Sequence, residues 1–319
     1  MAGFASVNTR VVDPVLTQWM VVQGNDDSAY IADLAFAPNY REGRSTGTFF
    51  RADTDLKSFG NTQVTRAKGG PFHRGSLNLT NATYQTLPYG FEIPIDDDLA
   101  RESQTPMQLE QLATLRAEAE VKIRREMRCA ATMFVTGAWT NEATLGAAAQ
   151  WDDAGGDPLG NLWTAKRAVK LASGKDVNTA IMGWDSFRVA VQNGDLVSLM
   201  PADTRTAQLT LSGLANRLRE AFEIDRLYIG KAIRNTANEG IAEVNAFVWT
   251  DNMWLGHIPA SGPEGPAFAQ FASTSGGAPT VVDRYREEAI TSDIVRVREN
   301  RDEVVVDADA GYLIINIAN

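Results

Sequence analysis

The chain has 319 residues, 44% hydrophobic and 22% charged, with a formal net charge of -10 and a pI near 4.8. These are the proportions of a soluble globular protein longer than one ordinary domain, and no apolar run reaches the roughly 18 residues that a bilayer span needs. The acidic balance argues against a protein that grips phosphate backbones through clustered Lys and Arg.

Residues 1–40 mix Val11, Val12, Val15, Leu16, Trp19 and Met20 with Asp, Asn and Gly and show no long helical period, so they read as an extended arm. No basic start followed by an apolar stretch is present, and no secretory leader is expected. Residues 41–95 are rich in Gly, Thr and Asn. They carry β-type pieces at 48–51, 62–66, 77–80 and 84–87, with turn chemistry at Gly69-Gly70-Pro71, which together predict a long hairpin. A hairpin so poor in large apolar groups cannot build its own core and is marginal in water, so a partner subunit is implied. Its aromatic residues Phe49, Phe50, Phe59 and Phe72, with Trp19 and Phe36 of the arm, are the expected assembly contacts, although Trp19 and Phe36 read equally as ordinary core packing within one subunit.

Thr105-Pro106-Met107-Gln108 has the form of a capped helix start. Leu109, Leu112, Ala119, Ile123, Met127, Ala130 and Phe134 then recur at helical steps, predicting a rod to about residue 135, roughly 45 Å long. A second helix is expected from Asp157 as cap and Pro158 at its first position, with Leu162, Val169 and Ala172 inward and Gly174 as its stop. A buried strand at 179–183, a short helix at 186–192, an amphipathic helix through Leu211, Leu214, Leu218 and Phe222, and a strand at 226–230 follow. Strands are expected at 246–249 and 254–258, a Pro-, Gly- and Ser-rich connection over 259–279, and closing strands at 280–285, 294–298, 303–307 and 312–317. The fold class is α+β, without internal repeats.

Catalytic chemistry has little footing. His73 and His257 lie far apart, the single Cys129 sits in a helical pattern as a small core residue, and no zinc or di-iron spacing occurs. Asp96-Asp97-Asp98 and Asp152-Asp153 with Asp157 lack calcium-loop spacing, and helix capping with solvation is their plainer reading. Walker A, dinucleotide and nucleophile-elbow motifs are missing. No catalytic, cofactor or metal residue is assigned. A soluble hydrolase with its site around Asp152, Asp153 and Asp157 stands as the remote alternative.

The ordered parts resemble the HK97-like family of major capsid proteins of tailed bacteriophages. The likeness is carried by Tyr89-Gly90-Phe91-Glu92-Ile93-Pro94-Ile95-Asp96 entering the long helix, and by Trp151-Asp152-Asp153 through Asp157-Pro158-Leu159 and Asn178-Thr179-Ala180-Ile181-Met182-Gly183. Phe222 to Ala232, Val248-Trp249 to Pro259, and Asp309-Ala310-Gly311-Tyr312-Leu313-Ile314 extend it over nearly the whole chain. The resemblance implies an N-terminal arm (1–40), an extended β-hairpin loop (41–95), a long spine helix with a peripheral domain (96–150), an axial α/β domain (151–279), and C-terminal strands shared by both domains (280–319). It implies a non-enzymatic subunit, without cofactors, that assembles in the host bacterial cytoplasm into pentamers and hexamers. These would form the icosahedral shell of a virion around double-stranded DNA, with scaffold, portal and decoration proteins as further partners and no membrane. Some relatives cross-link subunits through lysine, for which Lys57 and Lys68 are the candidates, although solvated lysines are the plainer reading. An encapsulin-type cellular shell protein, with the same architecture around different contents, is the alternative.

Overall fold

The structure, a computed structural model, describes residues 25–36, 39–52, 65–66, 68–72, 74, 79–102, 106–199, 211–238, 240–259, 266–273 and 280–318. After a 3-10 turn come helix α1 (Ala32–Ala35), strands β1 (Asn39–Glu42), β2 (Thr46–Ala52), β3 (Leu79–Gln85) and β4 (Leu87–Asp96), helices α2 (Asp97–Glu102) and α3 (Pro106–Met133), and β5 (Asn141–Thr144). The chain continues with α4 (Pro158–Ser173), β6 (Thr179–Gly183), α5 (Trp184–Gln192), α6 (Gly194–Leu199), α7 (Leu211–Ala221), β7 (Arg226–Gly230), β8 (Ile233–Asn235) and β9 (Asn245–Phe247). Strands β10 (Met253–Gly256), β11 (Phe268–Ser273), β12 (Thr280–Glu287), β13 (Ser292–Val305) and β14 (Gly311–Ile315) complete it.

Local signals set the ends of α4 as the sequence implies. The Asp157 carboxylate accepts from the Gly160 N–H, Pro158 fills the first helical position without leaving a donor unpaired, and Gly174 closes the helix at a φ of 73°. A side chain at Gly174 would resist that left-handed backbone.

Two five-stranded sheets organise the chain. In the first, the 14-residue β13 is flanked by β4 on one side and by β12 and then β11 on the other, all antiparallel to it, with β1 parallel to β11. The second has the order β5-β14-β10-β6-β7. One of its faces carries Ala180, Met182, Met253, Leu255 and Ile314 and is covered by α4, α5 and α7 through Leu162, Val169, Phe187, Leu218 and Phe222. The opposite face, with Ile181, Trp254 and Leu313, is covered by Phe36, Trp139, Trp249, Phe268 and the end of α3. This in-and-out alternation is what a sheet buried on both sides requires.

Helix α3 is long because it serves both cores. Ala113, Ala117 and Val121 pack on Ile93, Val295 and Val297 of the first sheet, whereas Cys129, Ala130 and Met133 pack under the second. At 1.5 Å per residue its 28 residues extend about 42 Å.

Several expectations are corrected. The expected connection at 259–279 contains β11, a fully buried strand paired with β13. The strands expected at 294–298 and 303–307 are one continuous strand, β13. The strand expected at 246–249 ends at Phe247, and the one at 254–258 is Met253–Gly256. The sheets also do not divide the chain at 151 and 279: β5 pairs with β14 in the second sheet, and β11 belongs to the first. Arm residues 1–24, the Thr105 cap and residues 62–64 and 77–78 of the expected hairpin strands lie outside the described residues.

Candidate assembly surfaces

Strands β2 and β3 pair from Thr46↔Gln85 to Ala52↔Leu79 and form the base of the expected hairpin. Among the described residues its base is attached to the subunit by aromatic stacking: the rings of Tyr84 and Phe49 lie on Phe271 of β11 at 4.4 and 5.3 Å, and Tyr40 of β1 stacks on the same ring at 5.3 Å. Gly47 lies against the Tyr84 ring, where a Cβ would meet the hydroxyl at 2.5 Å, so the strand can approach only because the side chain is missing. The Gln85 N–H donates to Asp302 Oδ2 at 2.8 Å and the Thr86 hydroxyl to the Ser45 carbonyl at 3.1 Å. Farther out, Gly69 turns the chain at a φ of 85°, and the Arg66 guanidinium covers the Phe72 ring at 4.4 Å. Phe72 is nonetheless 65% exposed.

The six expected contact residues therefore part company. Phe72 is open to a partner, and Phe49 is half-buried at the hairpin base. Phe36 fills the subunit's own core, 4.6 Å from the Phe268 ring, and offers no surface to a neighbour, which corrects its place in the set. Trp19, Phe59 and the Phe50 side chain lie outside the described residues.

Sequence reasoning missed a buried charge network that fixes the arm to α3 and β13. Arg125 Nη1 donates to both Asp33 oxygens at 2.8 and 2.9 Å, and Arg301 Nη1 donates to Asp33 at 3.2 Å and to Gln270 Oε1 at 2.6 Å. Arg301 Nε lies 3.0 Å from Glu299 Oε2, while Arg128 Nη2 reaches Glu299 at 3.0 Å and Glu303 at 3.3 Å. Burial, with Arg125 nearby, lowers the Arg301 pKa. For Arg128 burial pulls the same way, but Glu303 and Glu299 outweigh it and raise the pKa. A readable signal existed: Glu299, Arg301 and Glu303 alternate on the strand face that Val295 and Val297 place inward.

Beside this network, a groove of about 530 Å3 opens between β4 and α3, lined by Tyr89, Phe91, Val121, Arg124, Met127 and Ala131. Further apolar groups are exposed at Trp163 and Leu171 of α4 and at Ile233, Ile241 and Val244 on the β8–β9 ribbon. The acidic loop before α4 is engaged in turns: Asp153 Oδ1 accepts from the Ala154 N–H and Asp157 Oδ1 from the Gly160 N–H. Among the described residues no group of three or more His, Cys, Asp or Glu is arranged to hold a metal ion, and no helix is long and apolar enough to cross a membrane. His257 Nδ1 contacts the Asp176 carbonyl at 2.9 Å, and His73 lies outside the described residues.

No family model matches the chain. Over 97% of its length, and 97% of the relative's, it is 24% identical to the major capsid protein of Burkholderia phage BcepMu. Among solved structures, a phage-related protein from Bordetella bronchiseptica RB50 superposes with a TM-score of 0.68 at 21% identity, covering 97% of this chain and 98% of the other. The capsid of the native GTA particle gives a TM-score of 0.55 at 13% identity, covering 100% and 96%. The chain has the HK97-like capsid fold. A Microbacterium phage Oxtober96 structure adds a TM-score of 0.52 at 14% identity over 98% and 96% of the two chains. By their order these parts resemble those of the HK97-like capsid fold, the first sheet its peripheral domain, the second with its helices its axial domain, α3 its spine helix and β2–β3 the base of its extended loop.

Proposed function

We propose that this chain is the major capsid protein of a tailed-phage head, a structural subunit of which many copies build one shell. The observation that carries the reading is the likeness to a major capsid protein across 97% of both chains. The physical character of the extended loop supports it, since a two-stranded ribbon poor in large apolar groups is marginal alone and gains stability from a neighbour. The finer reading places pentamers and hexamers on an icosahedral lattice around double-stranded DNA, inside a virion assembled in the host bacterial cytoplasm. The arm (1–40) and loop (41–95) overlap adjacent subunits, with Trp19, Phe49, Phe50, Phe59 and Phe72 as contacts. Scaffold, portal and decoration proteins are the further partners. A net charge of -10 suits a wall that holds DNA without binding it tightly.

The test is light scattering and electron microscopy of the chain expressed alone and with its genomic neighbours. Shells or capsomers are expected, and their loss is expected when residues 51–84 or 1–40 are deleted. A compact monomer or dimer under every condition would overturn the shell reading, and unchanged shells from a deletion would overturn the role of that segment. Particles filled with cargo protein and free of nucleic acid would move the contents to the encapsulin type.

A further inference from the structure

Glu126 lies on the turn of the spine helix that passes between the arm and the axial domain, and it is only 1% exposed. Its Oε1 accepts from the Ala32 N–H at 2.6 Å, and its Oε2 accepts from the Trp249 indole N–H at 2.6 Å. The Ile31 backbone N–H is a further donor to it. One carboxyl group thus joins three parts of the chain far apart in sequence: the arm, the spine helix, and the segment that leads from β9 into β10. The Trp249 indole is itself seated against Gly230, where any Cβ would collide with it.

The chemistry of this junction is divided. Its three hydrogen-bond partners are donors, which suits a carboxylate, because a protonated acid needs an acceptor for its own hydrogen. Enclosure in an apolar wall of Ile31, Ala130 and Trp249 favours the neutral acid instead. Burial prevails over the donors and over Arg125, raising the pKa to about 7. The groups around it are Tyr30, Asp27 and Asp33 on the arm, and Lys122, Arg125 and Cys129 on the spine helix. Lys122 is held by Asp27 at 2.9 Å and Arg125 by Asp33. From β13, Glu299 pairs with Arg125, Arg301 pairs with Asp33, and Glu303 acts on Cys129. Trp249, from the axial side, brings a dipole and no charge.

We propose that Glu126 is a proton-linked latch between the arm and the axial domain: closing the junction takes up a proton, and ionisation of the carboxyl favours release of the arm. The sign follows from linkage. A freed Glu126 returns to water and to its ordinary range near 4.5, so between about 4.5 and 7 the closed junction holds a proton that the open one has lost. The closed state is therefore favoured most below about 4.5, and this advantage is gone once the pH has passed about 7. The bearing on assembly rests on the arm's role proposed above, but the latch belongs to the single subunit and is tested there.

The test uses the full-length unassembled subunit, with hydrogen exchange of residues 29–36 corrected for intrinsic rate between pH 5 and 8.5. Protection is expected to fall by ten- to a hundredfold between pH 5 and about 7.5 and to level off above that, and to be flat in Glu126→Gln, which keeps an acceptor but has no proton to lose. A second reading uses the wild type alone: the Trp249 indole N–H resonance, assigned with Trp249→Phe, should titrate with a midpoint near 7. Protection independent of pH, or protection that rises with pH, would overturn the latch, as would an indole resonance that stays constant from pH 5 to 8.5. Shell formation is scored separately, so a working latch in a chain that builds no shell would refute the capsid reading alone.

Discussion

The Tyr84 ring lies flat on the Phe271 ring, with 4.4 Å between centroids and 3° between planes. This contact joins the last strand of the extended loop to β11, and β11 is in turn paired with β13, so the loop's base is anchored in the peripheral domain. Tyr84→Ala should therefore cost about 3 kcal/mol, in the range for deleting a buried aromatic side chain. Urea melts of the unassembled subunit would measure it. Phe271→Ala should act in the same direction, and the double variant should cost less than the sum, because the two share one contact. An additive result would mean that the stack contributes nothing of its own.

Three glycines should rank by what a methyl group would strike. At Gly183, between β6 and α5, a Cβ falls on the Thr250 carbonyl oxygen, which is backbone, so Gly183→Ala should cost about 3 kcal/mol or more. At Gly47 the obstacle is the Tyr84 side chain, which can shift, and about 1–2 kcal/mol is expected. Gly146 has open space around it and an ordinary extended backbone, so Gly146→Ala should change stability by no more than about 0.5 kcal/mol. Thermal melts of the three variants would give the order.

How legible these features were depended on how local their causes are. Asp157, Pro158 and Gly174 delimit α4 through contacts within a few residues, so the sequence reveals them directly. The strand β11 was hidden because its neighbours are rich in Gly, Pro and Ser, and because Phe-Ala-Gln-Phe-Ala-Ser is buried on both faces and shows no alternation. β13 looked like two strands because Glu299, Asn300, Arg301 and Asp302 interrupt its apolar run. The burial of Glu299 and Arg301 makes sense only once Arg125, Arg128 and Asp33 are brought from elsewhere in the chain. Phe36 reads equally as an interface or a core residue for the same reason: Phe268, on which its ring packs, belongs to a strand that closes over it from a distance.

Cys129 should be chemically silent in the folded subunit. It is fully enclosed between the spine helix and the axial sheet, and burial, with Glu303 and Glu126 nearby, raises its thiol well above the usual range. Because the thiolate is the nucleophile, alkylation by iodoacetamide at pH 8 should be negligible in native subunits and complete in urea. Fast labelling without denaturant would show that the packing of α3 on the axial sheet, as distinct from the arm, opens readily at that pH.

The charge network should divide by exposure rather than by distance. Glu299 has 0% of its side chain exposed and Arg301 5%, so Arg301→Ala leaves a buried carboxylate short of a partner. The expected loss is about 3–5 kcal/mol, and it should be insensitive to salt because no ions screen a buried pair. Asp33, 56% exposed, binds Arg125 at a shorter distance than Arg301 binds Glu299, yet water competes for it. The Arg125–Asp33 coupling from a double-mutant cycle should be no more than about 1 kcal/mol and should shrink in 1 M salt. Urea melts of the Arg301→Ala and Asp33→Asn variants at low and high salt would test both halves. Equal losses at the two sites would mean that the network is stabilised by ion-pair geometry alone, whereas the expected inequality would place the cost in the burial of Glu299.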